Sequence, residues 1–489
     1  MSAPARAATG SSDLLAAVLD AGSFRTWDSP AAAPDGAPAG YRRELAAAAV
    51  AAGTDESLVT GEGRIGGRRI AVAVSEFAFL GGSVGTTAAR RLVAAVERAT
   101  ACGLPLLLSP ASGGTRMQEG TPAFLEMITI ADRVAAHRRA GHPVAVHLRH
   151  PTTGGALASW GSLGSVTTAE PGALVGFLGP KVYRSLYGHR FPSGVQTAEN
   201  LRARGVIDAV MGPAELAGLL DRLLAVTARG PSRAAVAPAP AETARPPAAP
   251  DAWSSIRATR RPDRPGARDL LRIAARDVIE LSGTGTGEAA AATVLVLARI
   301  DGVACVLVGQ DRAADRLPGP ADLRVARRGF ALAEELGLPL VTFIDTAGGE
   351  LSAEAEEGAL AGEIARCLVD LTALEVPSVS VLAGQGAGGA ALALFGARRR
   401  IAARNAWLTP LPPEGASAIV HGTTDRAAEV VAGQCVRSTD LVAAGAVHRI
   451  VEELPDAADE PETYLARLAH GIVSELGIAA GPLSGRSPR

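Results

Sequence analysis

The 489-residue chain predicts an α/β protein made of two tandem, internally duplicated domains. Three observations predict it. Short apolar runs alternate with stretches whose apolar residues recur at helical spacing, the pattern of parallel strands joined by crossover helices. A Pro/Ala-rich stretch, with six prolines in residues 229–250, divides the chain into near-equal halves. The halves also repeat at a constant offset. Pro105 and Pro339, Pro143 and Pro377, Gly154 and Gly388, and Gly155 and Gly389 each stand 234 residues apart.

The composition sets bounds. At 47% hydrophobic and 20% charged, large cores are expected and wholesale disorder is not. A net charge of −2 gives no reason to expect nucleic acid or an anionic membrane as a partner. Cys102, Cys305, Cys367 and Cys435 form no C-x-x-C pair, so neither a zinc site nor a disulfide framework is expected. Residues 151–169 and 377–397 lack charge but are dominated by Gly, Ala, Ser and Thr, so no spanning helix is expected. With no secretory segment evident, the expected location is the cytoplasm. Lys181 is the only lysine.

Taken in order, residues 1–55 read as a peripheral arm with short helices at 12–21 and 41–52. A first domain is expected over 56–228. It contains a strand at 69–74 after the Gly66-Gly67 turn, a glycine-rich turn over 76–85, and a helix at 86–101. A strand at 104–108 leads into the loop SPASGGTRMQE. Thr121 is the expected N-cap of a helix to 140, with Pro122 in its first turn. A strand at 144–148, the TTGG turn, a helix at 156–163 and a strand at 174–177 follow, and LRARGVIDAV (201–210) closes the unit. The linker spans 229–252, the second domain 253–481, and 482–489 form a tail. In the second domain, strands at 292–300 and 303–308 flank Asp301-Gly302 as a hairpin. A helix at 321–335, a strand at 338–344, a glycine loop at 345–350, a helix at 354–374 and a strand at 379–382 come next. GQGAGGAALAL and WLTPLPPEGASAI follow, and LVAAGAVHRIV (441–451) closes the domain.

In each copy two strands end in glycine pairs: Gly113-Gly114 and Gly154-Gly155, then Gly348-Gly349 and Gly388-Gly389. Glycine lets backbone N–H groups approach a ligand without side chains in the way. Two pairs per copy could form an oxyanion hole, with a helix N-terminus adding its dipole. Ala156 and Ala390 follow the pairs where a serine nucleophile would be wanted. Glu119, Glu126 and Asp345 are candidate carboxylates, each also readable as a helix cap. The scarcity of acid–base groups suggests that a bound cofactor supplies the base.

SPASGGTRMQEG (109–120), HPTTGGALAS (150–159) and AEPGALVGFLGPKV (169–182) resemble the β subunit of the bacterial acetyl-CoA carboxylase carboxyltransferase. IDTAGG (344–349), GQGAGGAALAL (384–394) and PPEG (412–415) resemble its α subunit, so the chain looks like a natural β–α fusion. The resemblance covers roughly residues 60–215 and 290–455. It implies a crotonase-like (ClpP/crotonase) fold in both halves and transfer of a carboxyl group from carboxybiotin, on a separate carrier protein, to acetyl-CoA, giving malonyl-CoA. It implies that Gly113, Gly114, Gly154 and Gly155 hold the thioester enolate, and that Gly348, Gly349, Gly388 and Gly389 hold the biotin ureido oxygen. Arg116, Gly81, Gly82, Gly384 and Gly386 become candidate cofactor-binding residues, Arg116 being equally readable as one half of a structural ion pair. Expected partners are biotin carboxylase, the biotin carboxyl carrier protein and at least one further copy of the chain. The site in this family lies between domains of different protomers.

Three departures stand out: the family's four-cysteine zinc ribbon is absent, Gln385 and Ala387 replace Glu and Ser, and IDTPGA has become IDTAGG. Lys181, in GPKVYR, is not in the A-M-K-M context of a biotinylated lysine, so the carrier must be a separate chain. A propionyl-CoA or other acyl-CoA carboxyltransferase, a biotin-dependent decarboxylase and a non-catalytic assembly partner are the alternatives.

Overall fold

The computed structural model describes residues 9–34, 36–228 and 250–480. It divides into two compact units. Unit 1 runs to Ala225 and includes Gly285–Gly287; unit 2 comprises Val226–Thr284 and the chain from Glu288. The linker over 229–249 and the tail over 482–489 lie outside the described residues.

Unit 1 is built on a seven-stranded sheet in simple chain order. Its strands are β1 (Arg25–Thr26), β2 (Leu58–Ile65), β3 (Arg68–Ser75), β4 (Leu106–Ser109), β5 (Val144–Leu148), β6 (Val166–Ala169) and β7 (Ala209–Val210). The β1–β2 and β2–β3 pairs are antiparallel and the rest parallel. Strands β4 and β5 are buried throughout, as expected of apolar parallel strands with both faces covered. The helix Thr86–Ala101 places Ala88, Ala89, Leu92, Val96 and Ala99 against the core, and Thr121–Arg139 adds Ile130 and Val134.

Unit 2 repeats the plan with β8 (Ala275–Leu281), β9 (Thr293–Ile300), β10 (Val303–Gln310), β11 (Leu340–Thr346), β12 (Ser378–Ala387), β13 (Arg399–Ala403) and β14 (Arg449–Val451). Two antiparallel pairings are again followed by parallel ones. The hairpin around Asp301-Gly302 pairs Ile300 with Val303.

Several expectations are corrected. Residues 9–52 are not a peripheral arm. The helix Ser11–Val18 buries Leu14, Leu15 and Val18, and β1 joins the sheet. Gly120, at φ +57°, is the N-cap of the Thr121–Arg139 helix, and Thr121 is its first residue. The helix expected at 156–163 is two pieces, Gly154–Ala158 and a 3-10 turn Trp160–Ser162. The one expected at 354–374 breaks at Gly358-Ala359 into Ala353–Glu357 and Leu360–Ala373, with Ala359 at φ +62°.

Candidate active site

In open α/β sheets, ligands bind beyond the carboxyl ends of the parallel strands. The glycine loops of unit 1 stand there, after β3, β4 and β5. Their contacts are mutual. Gly113 N–H donates to the Gly81 carbonyl at 2.9 Å, and Gly114 N–H to Ser112 Oγ at 3.0 Å. Gly154 N–H donates to the Phe177 carbonyl at 2.9 Å. Three of the four expected donors are thus spent in shaping the loops. Gly155 N–H has no hydrogen-bond partner among the described residues. It lies in the first turn of Gly154–Ala158, where N–H groups have no intrahelical acceptor.

Gly114 is what keeps that donor open. Its φ is +108°, and a Cβ there would stand 3.2 Å from Gly155 N and 3.4 Å from Gly154 Cα. Gly82 has a different reason: its Cβ would run into the Ala111 carbonyl oxygen. Ser112, which sequence reasoning passed over, closes the loop with its hydroxyl. Its legible signal was Thr346, two residues before a glycine at the same 234-residue offset.

Unit 2 repeats this geometry. Gly348 N–H donates to Thr346 Oγ1 at 3.2 Å, and that hydroxyl donates back to the Gly348 carbonyl at 2.7 Å. Gly388 has φ +69°, close to the +61° of Gly154. A Cβ on Gly349 would be 3.5 Å from Ala390 Cβ, and one on Gly348 would be 3.7 Å from Pro412 Cγ. The PPEG segment and both glycine pairs therefore meet. A Gly389 side chain would collide with Ile364. The structural counterpart of Gly114 is Gly348, so Ala347 answers to Gly113. A cavity of about 210 Å³ adjoins this loop, lined in part by Arg312, Arg316, Asp345, Thr346, Ala347 and Gln385.

The remaining candidates have packing roles. Gly384 and Gly386 are inside β12, where a Cβ would press on the Asp345 carboxylate or the Trp407 carbonyl. Arg116 is corrected from a cofactor-binding residue to a structural one. It is 1% exposed and bonds to Glu56, Ser57 and the Ser83 carbonyl, leaving no donor facing a ligand. Burial alone would lower its pKa, but the Glu56 carboxylate outweighs this and raises it.

Two of the three candidate carboxylates are equally committed. Glu119 accepts from Tyr41 Oη at 2.6 Å and from Thr86 N–H and Oγ1 at 2.7 Å, capping the Thr86–Ala101 helix. Burial would raise its pKa, yet these hydrogen bonds and the Arg116 charge hold it below the usual range. Asp345 pairs with Arg312 at 2.6 Å and accepts from Gln385 N–H at 2.9 Å. Glu126 lies on the Thr121–Arg139 helix. The arrangement offers backbone donors and small-residue cradles, with no nucleophile–base pair at either loop set among the described residues.

Two duplicated glycine sites of this kind suit carbonyl-stabilising chemistry, and comparison with known proteins is consistent with that. The family described as the carboxyl transferase domain matches residues 17–476. The chain belongs to the carboxyl transferase family. The probable biotin-dependent acyl-coenzyme A carboxylase beta3 subunit of Mycobacterium tuberculosis (strain ATCC 25618 / H37Rv) is 58% identical over 464 residues, 94% of this chain and 92% of the relative. The acetyl-coenzyme A carboxylase carboxyl transferase subunits beta/alpha of Saccharopolyspora erythraea are 35% identical over 484 residues, covering 96% and 85%. Among solved structures, the hexameric transcarboxylase 12S aligns with a TM-score of 0.76 at 20% identity, over 98% of this chain and 91% of that one. At that identity the likeness speaks for the fold, and the carboxyltransferase chain has the two-domain crotonase-like α/β architecture. No helix among the described residues is long and apolar enough to cross a membrane.

Proposed function

We propose that this carboxyltransferase is the acyl-CoA-binding subunit of a biotin-dependent carboxylase. It would move a carboxyl group from carboxybiotin on a separate carrier protein to the α-carbon of an acyl-CoA. The observation that carries the reading is the 58% identity to subunits named for acyl-CoA. Relatives named for acetyl-CoA stand at 35–37%. A substrate such as propionyl-CoA is therefore favoured over acetyl-CoA.

In this reading Gly155 N–H, left without an acceptor in the first turn of Gly154–Ala158, receives the thioester oxygen as it gains negative charge. The Gly348 and Gly388 loops would receive the ureido carbonyl, beside a cavity that Arg312, Arg316 and Asp345 help to line. Bound carboxybiotin would supply both the carboxyl group and, once that has left, a basic nitrogen. That need fits a chain in which Glu119 and Asp345 are committed elsewhere. Biotin carboxylase and the carrier protein are the implied partners.

Exposed apolar residues recur at the same 234-residue offset: Met117 with Leu351, Phe177 with Leu411, and Leu186 with Val420. Such patches mark interaction faces, and they support a second copy of the chain as a further partner.

The test is carboxyl transfer in reverse. Purified chain, biocytin and either malonyl-CoA or methylmalonyl-CoA are mixed, and acetyl-CoA or propionyl-CoA is followed. Faster turnover of methylmalonyl-CoA is expected. Turnover of malonyl-CoA alone would return the substrate to acetyl-CoA. Silence with both, from a folded oligomer that binds CoA, would leave a non-catalytic assembly role.

A further inference from the structure

Arg149 stands outside every role assigned so far, yet it is fully buried at the end of β5. Its guanidinium makes four hydrogen bonds. Nε donates to Ser109 Oγ at 3.0 Å, one terminal nitrogen to the Thr9 carbonyl at 2.7 Å, and the other to the Ser109 carbonyl at 2.9 Å and to the Ser75 carbonyl. No carboxylate is in ion-pair contact with it among the described residues; Glu170 and Glu76 act on its charge from further off. Burying a charge this deeply without a direct counter-ion is costly, so its acceptors identify what it does. Ser75 and Ser109 end the adjacent parallel strands β3 and β4, and Arg149 directly follows β5. The loops leaving those ends carry Gly81-Gly82, Gly113-Gly114 and Gly154-Gly155.

The backbone of Arg149 continues the linkage. Its N–H donates to the Pro110 carbonyl at 2.9 Å, and its carbonyl accepts from Thr152 Oγ1 at 2.8 Å. Ser112 N–H then donates to the Pro151 carbonyl at 2.7 Å, and Ser112 Oγ fixes Gly114. Two buried or nearly buried carboxylates flank the cluster and share one neighbour, the segment Thr9–Ser11. Glu76 accepts from Ser11 N–H and Oγ at 2.8 Å, and Glu170 accepts from Thr9 Oγ1 at 2.9 Å and from His150 N–H at 3.1 Å. The N-terminal segment thus closes the fourth side of the guanidinium.

We propose that Arg149 is a positioning residue for the acyl-CoA site: one guanidinium sets the spacing of the three loops that place Gly155 N–H, and Thr9–Ser11 holds the guanidinium. The inference rests on the function proposed above. The planar fork matters, because it spans acceptors on separate strands, which a point ammonium cannot do.

The test uses the full chain with Arg149→Met and Arg149→Lys, read by reverse carboxyl transfer and by amide hydrogen exchange. A misplacement near 1 Å can cost about 100-fold in rate. Arg149→Met is therefore expected to lower kcat about 10- to 100-fold with KM for the acyl-CoA within about 3-fold. Arg149→Lys should recover part of that loss. Exchange should accelerate over 110–116 and 151–158 and stay unchanged over 340–350. A folded Arg149→Met protein with unchanged kcat overturns the proposal, as does a uniform loss of protection across unit 1. If the Met variant does not fold, the Lys variant decides, and unchanged kcat and exchange there overturn it. A wild-type chain inactive with every acyl-CoA would refute the proposed function, while the exchange measurement still judges the link between Arg149 and the loops.

Discussion

Gly114→Ala is the most informative perturbation, because two separable costs fall on one methyl group. The first is conformational. At φ +108° an L-residue is strained, at about 1–3 kcal/mol. For a unit of this size that is about 2–12 °C in Tm. The second cost is chemical. The Cβ would stand 3.2 Å from Gly155 N, close enough to crowd an oxyanion bound to that N–H. Loss of one such donor costs about 2.7–4 kcal/mol of barrier, or about 100- to 1,000-fold in kcat. Gly67→Ala separates the two. Gly67 is in the β2–β3 turn, at the opposite end of β3 from the site, with φ +77° and nothing within 4 Å of its Cβ position. It should lose comparable Tm and keep kcat within about 2-fold, since only the strain term applies. The assay is reverse carboxyl transfer under saturating acyl-CoA, with thermal melts of both variants. If Gly114→Ala turns over as fast as Gly67→Ala, Gly155 N–H is not the oxyanion donor.

Two further outcomes are expected. Arg116→Met should destabilise the protein by about 3–5 kcal/mol, because it strands the buried Glu56 carboxylate. KM for CoA should stay within about 2-fold in the folded fraction, since Arg116 contributes no exposed donor; a raised KM with an unchanged Tm would restore a ligand role. The second concerns acid. Burial, then the Arg149 charge, pushes His147 down to about 3; burial, then His142, pushes His137 down to about 4. Unfolded histidine titrates near 6.5, so the stability tied to both neutral rings is complete above about pH 6.5. It is lost as pH falls toward those lower values, by up to about 1.4 kcal/mol per pH unit for each ring. Urea midpoints between pH 7 and 4.5 should fall accordingly, and His147→Gln should make the slope shallower by about one proton; a flat wild-type profile would refute the assignment.

What the sequence showed and what it hid have the same physical origin. The helix Thr86–Ala101 and the strand Val144–Leu148 were legible to the residue, because uninterrupted periodicity or an apolar run specifies each from within. The glycines at 114, 154, 348 and 388 were legible because positive φ leaves a mark on residue choice, and duplication repeats the mark. Strand β2 was missed because it carries Gly61 and Gly63, which read as loop. A Cβ on Gly61 would strike Phe24 and the Arg25 carbonyl, and one on Gly63 would strike Leu19. The N-terminal segment that looked like an arm therefore explains why β2 looks unlike a strand. For Arg116 the sequence leaves ligand residue and structural ion pair equally open, because its partner, Glu56, is 60 residues away. The glycine pairs marked where donors could be. Which N–H remains free was settled by carbonyls on other loops, those of Gly81 and Phe177, and by the Ser112 hydroxyl. A motif can thus specify a backbone conformation locally, while the availability of a donor depends on neighbours that the motif does not contain.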